Sequence, residues 1–445
     1  MPVKPSIKCK ARPIHFPDLS LNLSHKIAFG LYDAGWRIAR PWLKLNHRLA
    51  EGFSQRTLKD RLPGIADLWI QAASVGESFL AIEILKAIQL QQPARILLTA
   101  NTRQGVEILN QALPELISAK NHIQATVRFF PFDQPSLMSA AVAAVRPKLM
   151  VLLETEIWPG LLLALKTHRR KSIIINGRLT EKSLHRYLFW PAIWQRLRPD
   201  KVLAISAADA ERFGRLFSLN GVETMPNIKF DRPAPPTTGG PDKDPIASLL
   251  PPTAPFVILA SVRRQEETPV KNIIKEIIGN RAQAIIGLFP RHLDRVPSWR
   301  RTLNQMGIRC LLRSTAECRV PAGSVILWDT FGELPLAYQH AKAAFMGGSL
   351  APLGGQNFLE PLVNGVRPVT GPSWENFAWV GAEIIESGLL RVADDWKDVA
   401  AILIQNIDSP IDRQAVITAA RQYIKERRGG TLKACRHISE FLECD

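Results

Sequence analysis

The stretch Asp67–Leu90, "DLWIQAASVGESFLAIEILKAIQL", decides the fold. Its first third is a short apolar run, and the remainder carries helical spacing. Glu77 stands at the junction. Ser74-x-x-Glu77 fits the capping-box pattern, in which the two side chains satisfy exposed N–H groups at a helix start. A glutamate at such a junction can also take a proton from a substrate. That role needs a carboxylate turned into a cleft, which a closed capping box would prevent.

Outward from this stretch the same alternation recurs. "ARILLTA" precedes "TRQGVEILNQAL", "KLMVLLE" precedes "WPGLLLALKTH", and "KSIIING" and "KVLAIS" follow. Near-continuous apolar strands separated by amphipathic helices predict a parallel sheet buried on both faces. Residues 232–255, "RPAPPTTGGPDKDPIASLLPPTAP", read as a Pro/Gly-rich linker. The string Asp242-Lys243-Asp244 inside it reads as solvated linker, not as a metal-binding D-x-D. Alternation then restarts with "FVILAS", "VKNIIKEII", "QAIIGLF", "RVPSWRRTLNQMG", "SVILWD", "AKAAFMGG" and "GVRPVTG". The predicted fold is α/β, with two Rossmann-like domains, 64–231 and 256–445, facing a cleft. Ligands are expected where strand C-terminal ends feed into loops.

Composition narrows the partners. The 445 residues carry 57 Lys+Arg against 40 Asp+Glu, a net charge of +17, with an ordinary 46% hydrophobic content. Such an excess points to an anionic partner: nucleic acid, a membrane surface or a phosphorylated substrate. Residues 1–63 are especially basic, with Lys4, Lys8, Lys10, Arg12 and Arg61 among their cations. Within them Ile27, Leu31, Ala34, Ile38, Trp42, Leu45 and Leu49 step by threes and fours, with Arg37, Arg40, Lys44 and Arg48 off the stripe and Pro41 placed to kink it. A cationic amphipathic helix with Trp36 and Trp42 suits an anionic membrane surface; docking on the chain's own domain is the alternative. No run approaches the ~20 apolar residues of a spanning helix. Cys9, Cys310, Cys318, Cys435 and Cys444 form no C-x-x-C pair, so neither a zinc site nor a disulfide framework is expected. No aromatic-interleaved basic ribbon marks a nucleic-acid binder.

The informative polar residues fall at strand ends. Glu77 follows the first strand, Glu154 closes "KLMVLLE", Arg178 follows "SIIING", and Lys229 sits in "NIKFD". Each alone has a structural reading; four at one edge of one sheet point to a site. In the second half "LFPRHLDR" places Arg291 after a strand, and "WDTFGELPLAY" places Gly332 and Glu333 at a helix start. In "MGGSLAPLGGQNFLEPLVNGVRPVTGP", Gly347, Gly348, Gly354 and Gly355 would let the backbone approach a phosphate, with a helix starting near Gln356. Glu360 in that helix could accept from ribose hydroxyls.

Together, "SVGE", "ETEIWPG", "NGRLTEKS", "NIKFD", "FPRH", "DTFGEL" and "GGSLAPLGGQNFLEP" resemble, in this order, the lipid A 3-deoxy-D-manno-octulosonic acid (Kdo) transferases. The resemblance runs from about Asp67 past Gly371. It implies the GT-B glycosyltransferase architecture, with 64–231 as the acceptor domain and 256–445 as the nucleotide-sugar domain. It implies transfer of Kdo from CMP-Kdo to a lipid A precursor at the cytoplasmic face of the inner membrane, with no cofactor. On this resemblance Glu77 is the general base, and Glu154 and Lys229 stabilise the transition state. The chemistry of such a substrate adds that Arg178 and Lys229 have an anion to meet, the carboxylate of Kdo. Pro290, Arg291, Phe331, Gly332, Glu333, Asn357, Phe358, Leu359 and Glu360 match the CMP contacts. Two departures stand out. The family's S-T-H-x-G-E-E reads Ser261-Val262-Arg263-Arg264-Gln265-Glu266-Glu267 here, and its G-G-H-N reads Gly354-Gly355-Gln356-Asn357. Both lie on the donor side. They leave open a related enzyme using another nucleotide sugar. A non-enzymatic basic nucleic-acid-binding protein is the more distant alternative.

Overall fold

The computed structural model describes residues 22–60, 64–118, 120, 122–232, 244–409 and 412–443. The first cations of the basic segment, Arg61, most of the expected linker with Asp242 and Lys243, Cys9 and Cys444 therefore lie outside the described residues. The described chain forms two compact units, 22–232 with 428–443, and 244–427.

The first unit is built on a seven-stranded sheet: β1 (Leu68–Ala72), β2 (Ala94–Ala100), β3 (Ile123–Phe129), β4 (Leu149–Leu153), β5 (Lys171–Gly177), β6 (Lys201–Ala204) and β7 (Glu223–Thr224). Its order is β3-β2-β1-β4-β5-β6-β7, and every pairing is parallel. Helices on both faces explain why the strands read as unbroken apolar runs. In β4, Met150 and Leu152 join one core and Leu149, Val151 and Leu153 join the other, all fully buried. At about 1.5–3 kcal/mol for each fully buried aliphatic side chain, five such residues anchor the middle of the sheet.

The second unit repeats the plan with β8 (Phe256–Val262), β9 (Ile285–Pro290), β10 (Cys310–Leu312), β11 (Val325–Leu327), β12 (Ala343–Met346), β13 (Pro368–Thr370) and β14 (Arg391–Val392). Its order is β10-β11-β9-β8-β12-β13-β14, again all parallel. Both sheets reverse strand order beside their first strand, between β1 and β4 in one and between β8 and β12 in the other. Such switch points open a crevice at the strand C-termini.

The expected boundary of the second domain at residue 445 needs correction. The last helix, Gly430–Glu443, packs on the first unit. Ala434, Cys435 and Ile438 join the core that holds Ile84 and Ile228. Asp231 fixes the return: its carboxylate accepts from Gly429 N (2.7 Å) and Thr431 N (2.6 Å) at the helix start.

The basic amphipathic segment forms the helix Leu23–Leu43, with Pro41 in its last turn, where it removes one backbone N–H donor. It docks through the face off the apolar stripe. Phe29 enters the core, Tyr32 Oη donates to Asp133 Oδ2 (3.0 Å), and Asp33 Oδ1 accepts from Ser136 N (2.8 Å). The stripe itself faces outward: Ile27, Leu31, Ala34, Ile38, Trp42 and Leu45 are exposed, and Leu49 is half-buried. Among the described residues no helix is long and apolar enough to cross a membrane.

Candidate active site

The four residues from the first half lie at one edge of the first sheet, where Glu77, Glu154 and Lys229 come together. Glu77 lies in the first turn of the helix Val75–Ala87, just beyond β1. Glu154 follows β4 directly, in a left-handed turn (φ 55°), with its N–H donating to Ile175 O (3.0 Å). Arg178 follows β5, half-buried, with its carbonyl accepting from Thr155 Oγ1. Lys229 rides on the short 3-10 turn Ile228–Phe230, and its Nζ sits 2.6 Å from Glu154 Oε1. Two buried asparagines hold that turn. Asn176 Oδ1 accepts from Ile228 N (2.9 Å), and Asn227 Oδ1 accepts from Lys229 N (3.0 Å).

Glu77 closes the capping box, yet the box and a free carboxylate oxygen coexist. Its Oε2 alone accepts from Ala73 N and Ser74 N, while Ser74 Oγ accepts from Glu77 N (3.3 Å). Among the described residues Oε1 has no hydrogen-bond partner. The closed box thus occupies Oε2 and leaves Oε1 outside the cap. Burial, and then the charges of Glu156 and Glu154, raise the Glu77 carboxyl to about 8 against the pull of the two backbone donors. A carboxylate of that basicity suits proton abstraction near neutral pH.

Glu156 lies inside "ETEIWPG", where nothing local in the sequence sets it apart. It is buried and accepts from Trp158 Nε1 (2.6 Å) and Gln71 Nε2 (3.1 Å). Gln71 accepts from Thr99 Oγ1 (2.6 Å), which accepts from Trp69 Nε1 (2.9 Å). This chain of polar side chains lies among the strand C-termini and holds Glu156 in place. Burial raises the Glu156 carboxyl as well.

In the second unit the candidates separate into exposed and internally engaged groups. Pro290 ends β9, and Arg291 follows it with an exposed side chain. Phe331 is 79% exposed beside Gly332 (φ +89°). Asn357 is exposed, and Leu359 and Glu360 are half-buried. Burial raises the Glu360 carboxyl. Two expected contacts are turned inward. The Glu333 carboxylate accepts from Arg313 Nη2 (2.7 Å), Trp328 Nε1 (2.8 Å) and Thr330 Oγ1 (3.1 Å), and Phe358 is wholly buried against Trp374 and Phe377. A nucleotide could meet these two only through their backbone.

The glycine loop also departs from expectation. Gly347 N donates to Ala260 O (2.8 Å), Gly348 N to Glu266 Oε1 (2.6 Å), Gly354 N to Ser373 Oγ (2.8 Å) and Gly355 N to Gly348 O (2.8 Å). None of the four amides is available to a phosphate in this arrangement. The helix starts at Leu359, three residues later than expected, and Asn357 Oδ1 takes the Leu359 N–H (3.1 Å). The glycines serve close packing instead: a methyl added at Gly347 would lie 2.5 Å from Glu266 Oε1.

Comparison with known proteins gives a consistent family. The family described as 3-Deoxy-D-manno-octulosonic-acid transferase (kdotransferase) matches residues 44–232. The chain is 28% identical over 397 residues to 3-deoxy-D-manno-octulosonic acid transferase of Bordetella pertussis, covering 85% of this chain and 88% of that protein. It is 27% identical over 387 residues to the protein of the same name from Haemophilus influenzae, covering 84% and 87%. Among solved structures, a glycosyltransferase from Rickettsia africae superposes with a TM-score of 0.56 at 10% identity, covering 86% of this chain and all of that one. That last likeness concerns the fold alone.

Proposed function

Because this chain is a glycosyltransferase related to the Kdo transferases, we propose that it transfers Kdo from CMP-Kdo to a phosphorylated, acylated lipid A precursor, with inversion and with Glu77 as general base. The observation that carries this reading is the meeting of Glu77 with the Glu154–Lys229 pair at the first sheet's switch point. An acceptor hydroxyl is far too weak an acid to attack an anomeric carbon unaided. Glu77 Oε1 takes its proton as the new C–O bond forms and CMP departs. Lys229 supplies positive charge beside the reacting groups, and Arg178 adds a second cation for the carboxylate of Kdo or an acceptor phosphate. The second unit holds the donor, with Glu360 toward the ribose and Arg291 and the Phe331–Gly332 turn toward the nucleotide.

The test is CMP release by the purified full chain. CMP should appear from CMP-Kdo only when a lipid A precursor is present, and UDP-sugars should give no turnover. Turnover of a UDP-sugar with CMP-Kdo untouched would instead favour the related enzyme with another donor, a reading to which Arg263 and Gln356 lend weight.

The exposed stripe of the helix Leu23–Leu43 supports attachment to an anionic membrane such as the cytoplasmic face of the inner membrane. Ile27, Leu31, Ile38 and Trp42 lie outward, with Lys26, Arg37 and Lys44 exposed on the same helix and just beyond it. Apolar side chains entering the headgroup boundary beside cations is the pattern of interfacial helices. The double substitution Ile38→Ser with Trp42→Ser is expected to weaken binding to phosphatidylglycerol-containing vesicles by at least ~10-fold in co-sedimentation. The melting temperature should stay unchanged, since neither side chain touches the core.

A further inference from the structure

We propose that Arg263, with Gln356 beside it, forms the binding site for the donor nucleotide's phosphate in the second unit. This rests on the reading of the chain as a nucleotide-sugar transferase. It gives the phosphate to side chains rather than to the amides of the glycine loop.

The place is the switch point of the second sheet. Arg263 is the first residue after β8, and Gly348 is the second after β12. These adjacent strands flank the reversal of strand order, where a ligand's charged group is expected to sit. The two side chains converge there. A methyl built on Gly348, which holds a left-handed φ of +70°, would lie 3.2 Å from Gln356 Nε2 and 3.7 Å from Arg263 Cγ. Arg291 leaves the neighbouring strand, its N–H donating to Val262 O (2.8 Å), so a second guanidinium starts from the same edge.

The need for a side-chain cation follows from the loop. A glycine-rich turn ordinarily meets phosphate through its amides. Here Gly348 N and Ser349 N both donate to the carboxylate of Glu266, at 2.6 and 3.1 Å, and the other loop glycines are also engaged. A buried carboxylate already fills the nest that a phosphate would use. An anion at this edge must therefore be met from above the loop.

Arg263 is equipped for it. Its Nε is shut off from solvent and has no hydrogen-bond partner, and among the described residues no carboxylate pairs with its guanidinium. A planar guanidinium can pair with two phosphate oxygens at once, and an adjacent amide can donate to a third. Two side chains 93 residues apart in sequence, a permanent cation and a neutral donor, meet over one glycine.

The test is equilibrium binding of CMP and of cytidine, which lacks the phosphate, to the full chain. Arg263→Ala should weaken CMP binding by about 10- to 100-fold, the scale of a charge-assisted hydrogen-bonded pair, and leave cytidine affinity unchanged. Arg263→Lys should restore part of the CMP affinity. An equal loss for CMP and cytidine would mark Arg263 as structural and overturn the proposal. So would an unchanged CMP affinity, or no binding of any nucleoside monophosphate by the wild-type chain. UMP separates this site from the donor assignment. If UMP binds more tightly than CMP with the same dependence on Arg263, the phosphate site stands and the CMP-Kdo reading fails. If CMP is preferred and Arg263→Ala changes nothing, the donor reading stands and the phosphate site fails.

Discussion

Glu77→Gln is expected to lower kcat/KM by about 10²–10⁴-fold, the usual contribution of a positioned general base. The substitution is nearly isosteric. The amide oxygen can take the place of Oε2 and keep accepting from Ala73 N and Ser74 N, so the start of the helix Val75–Ala87 stays capped. What disappears is an oxygen basic enough to take a proton. Folding should be preserved and, at alkaline pH, improved. The sign follows from linkage: the Glu77 carboxyl is raised in the folded chain, so its favourable neutral form is complete below the ordinary carboxylate range and is lost as pH rises through about 8. Glutamine never ionises there. Retention of more than about a tenth of wild-type activity by a fully folded Glu77→Gln protein would remove Glu77 from the mechanism. Glu77→Ala is the poorer test, because it also removes the cap, at about 1 kcal/mol.

Lys229→Met is expected to cost about 10²–10³-fold in kcat with a smaller change in KM, in line with loss of one preorganised charge beside the reacting groups. Methionine conserves the length of the stem and removes only the ammonium. The Glu154 carboxylate loses its 2.6 Å partner. The pair is only about three-quarters enclosed, so solvent softens the loss, and a stability penalty of about 1 kcal/mol is expected. Glu154 already raises the Glu77 carboxyl, and an uncompensated Glu154 should raise it further. The rise of activity with pH should therefore move upward in the variant. Glu154→Gln with Lys229→Met should recover stability without recovering rate. A Lys229→Met enzyme within about threefold of wild type would show that the pair is structural.

Much of the fold could be read from local pattern, because a parallel sheet covered on both faces writes itself as apolar runs of β1, β4 and β8 type. The strand-end residues Glu77, Glu154, Arg178 and Lys229 followed from the same logic. What escaped depends on partners distant in sequence. The glycine loop reads as a phosphate cradle until Glu266, 82 residues before Gly348, is seen to occupy its amides. Glu156 gained meaning only from Gln71, 85 residues earlier. The return of the last helix turns on Asp231 accepting from residues about 200 positions away. For the helix Leu23–Leu43, periodicity located the apolar stripe but could not say which face docks. Phe29 and Asp33, both off the stripe, decide that.

The central claim is that the Glu77 carboxylate is a base made strong by burial and by two neighbouring carboxylates. The most direct measurement is the pH dependence of kcat/KM for acceptor-dependent CMP release by the wild-type chain. A rise of about tenfold per pH unit is expected, up to a plateau that begins near pH 8. A profile already level above about pH 5, as an ordinary solvated carboxylate would give, would contradict it.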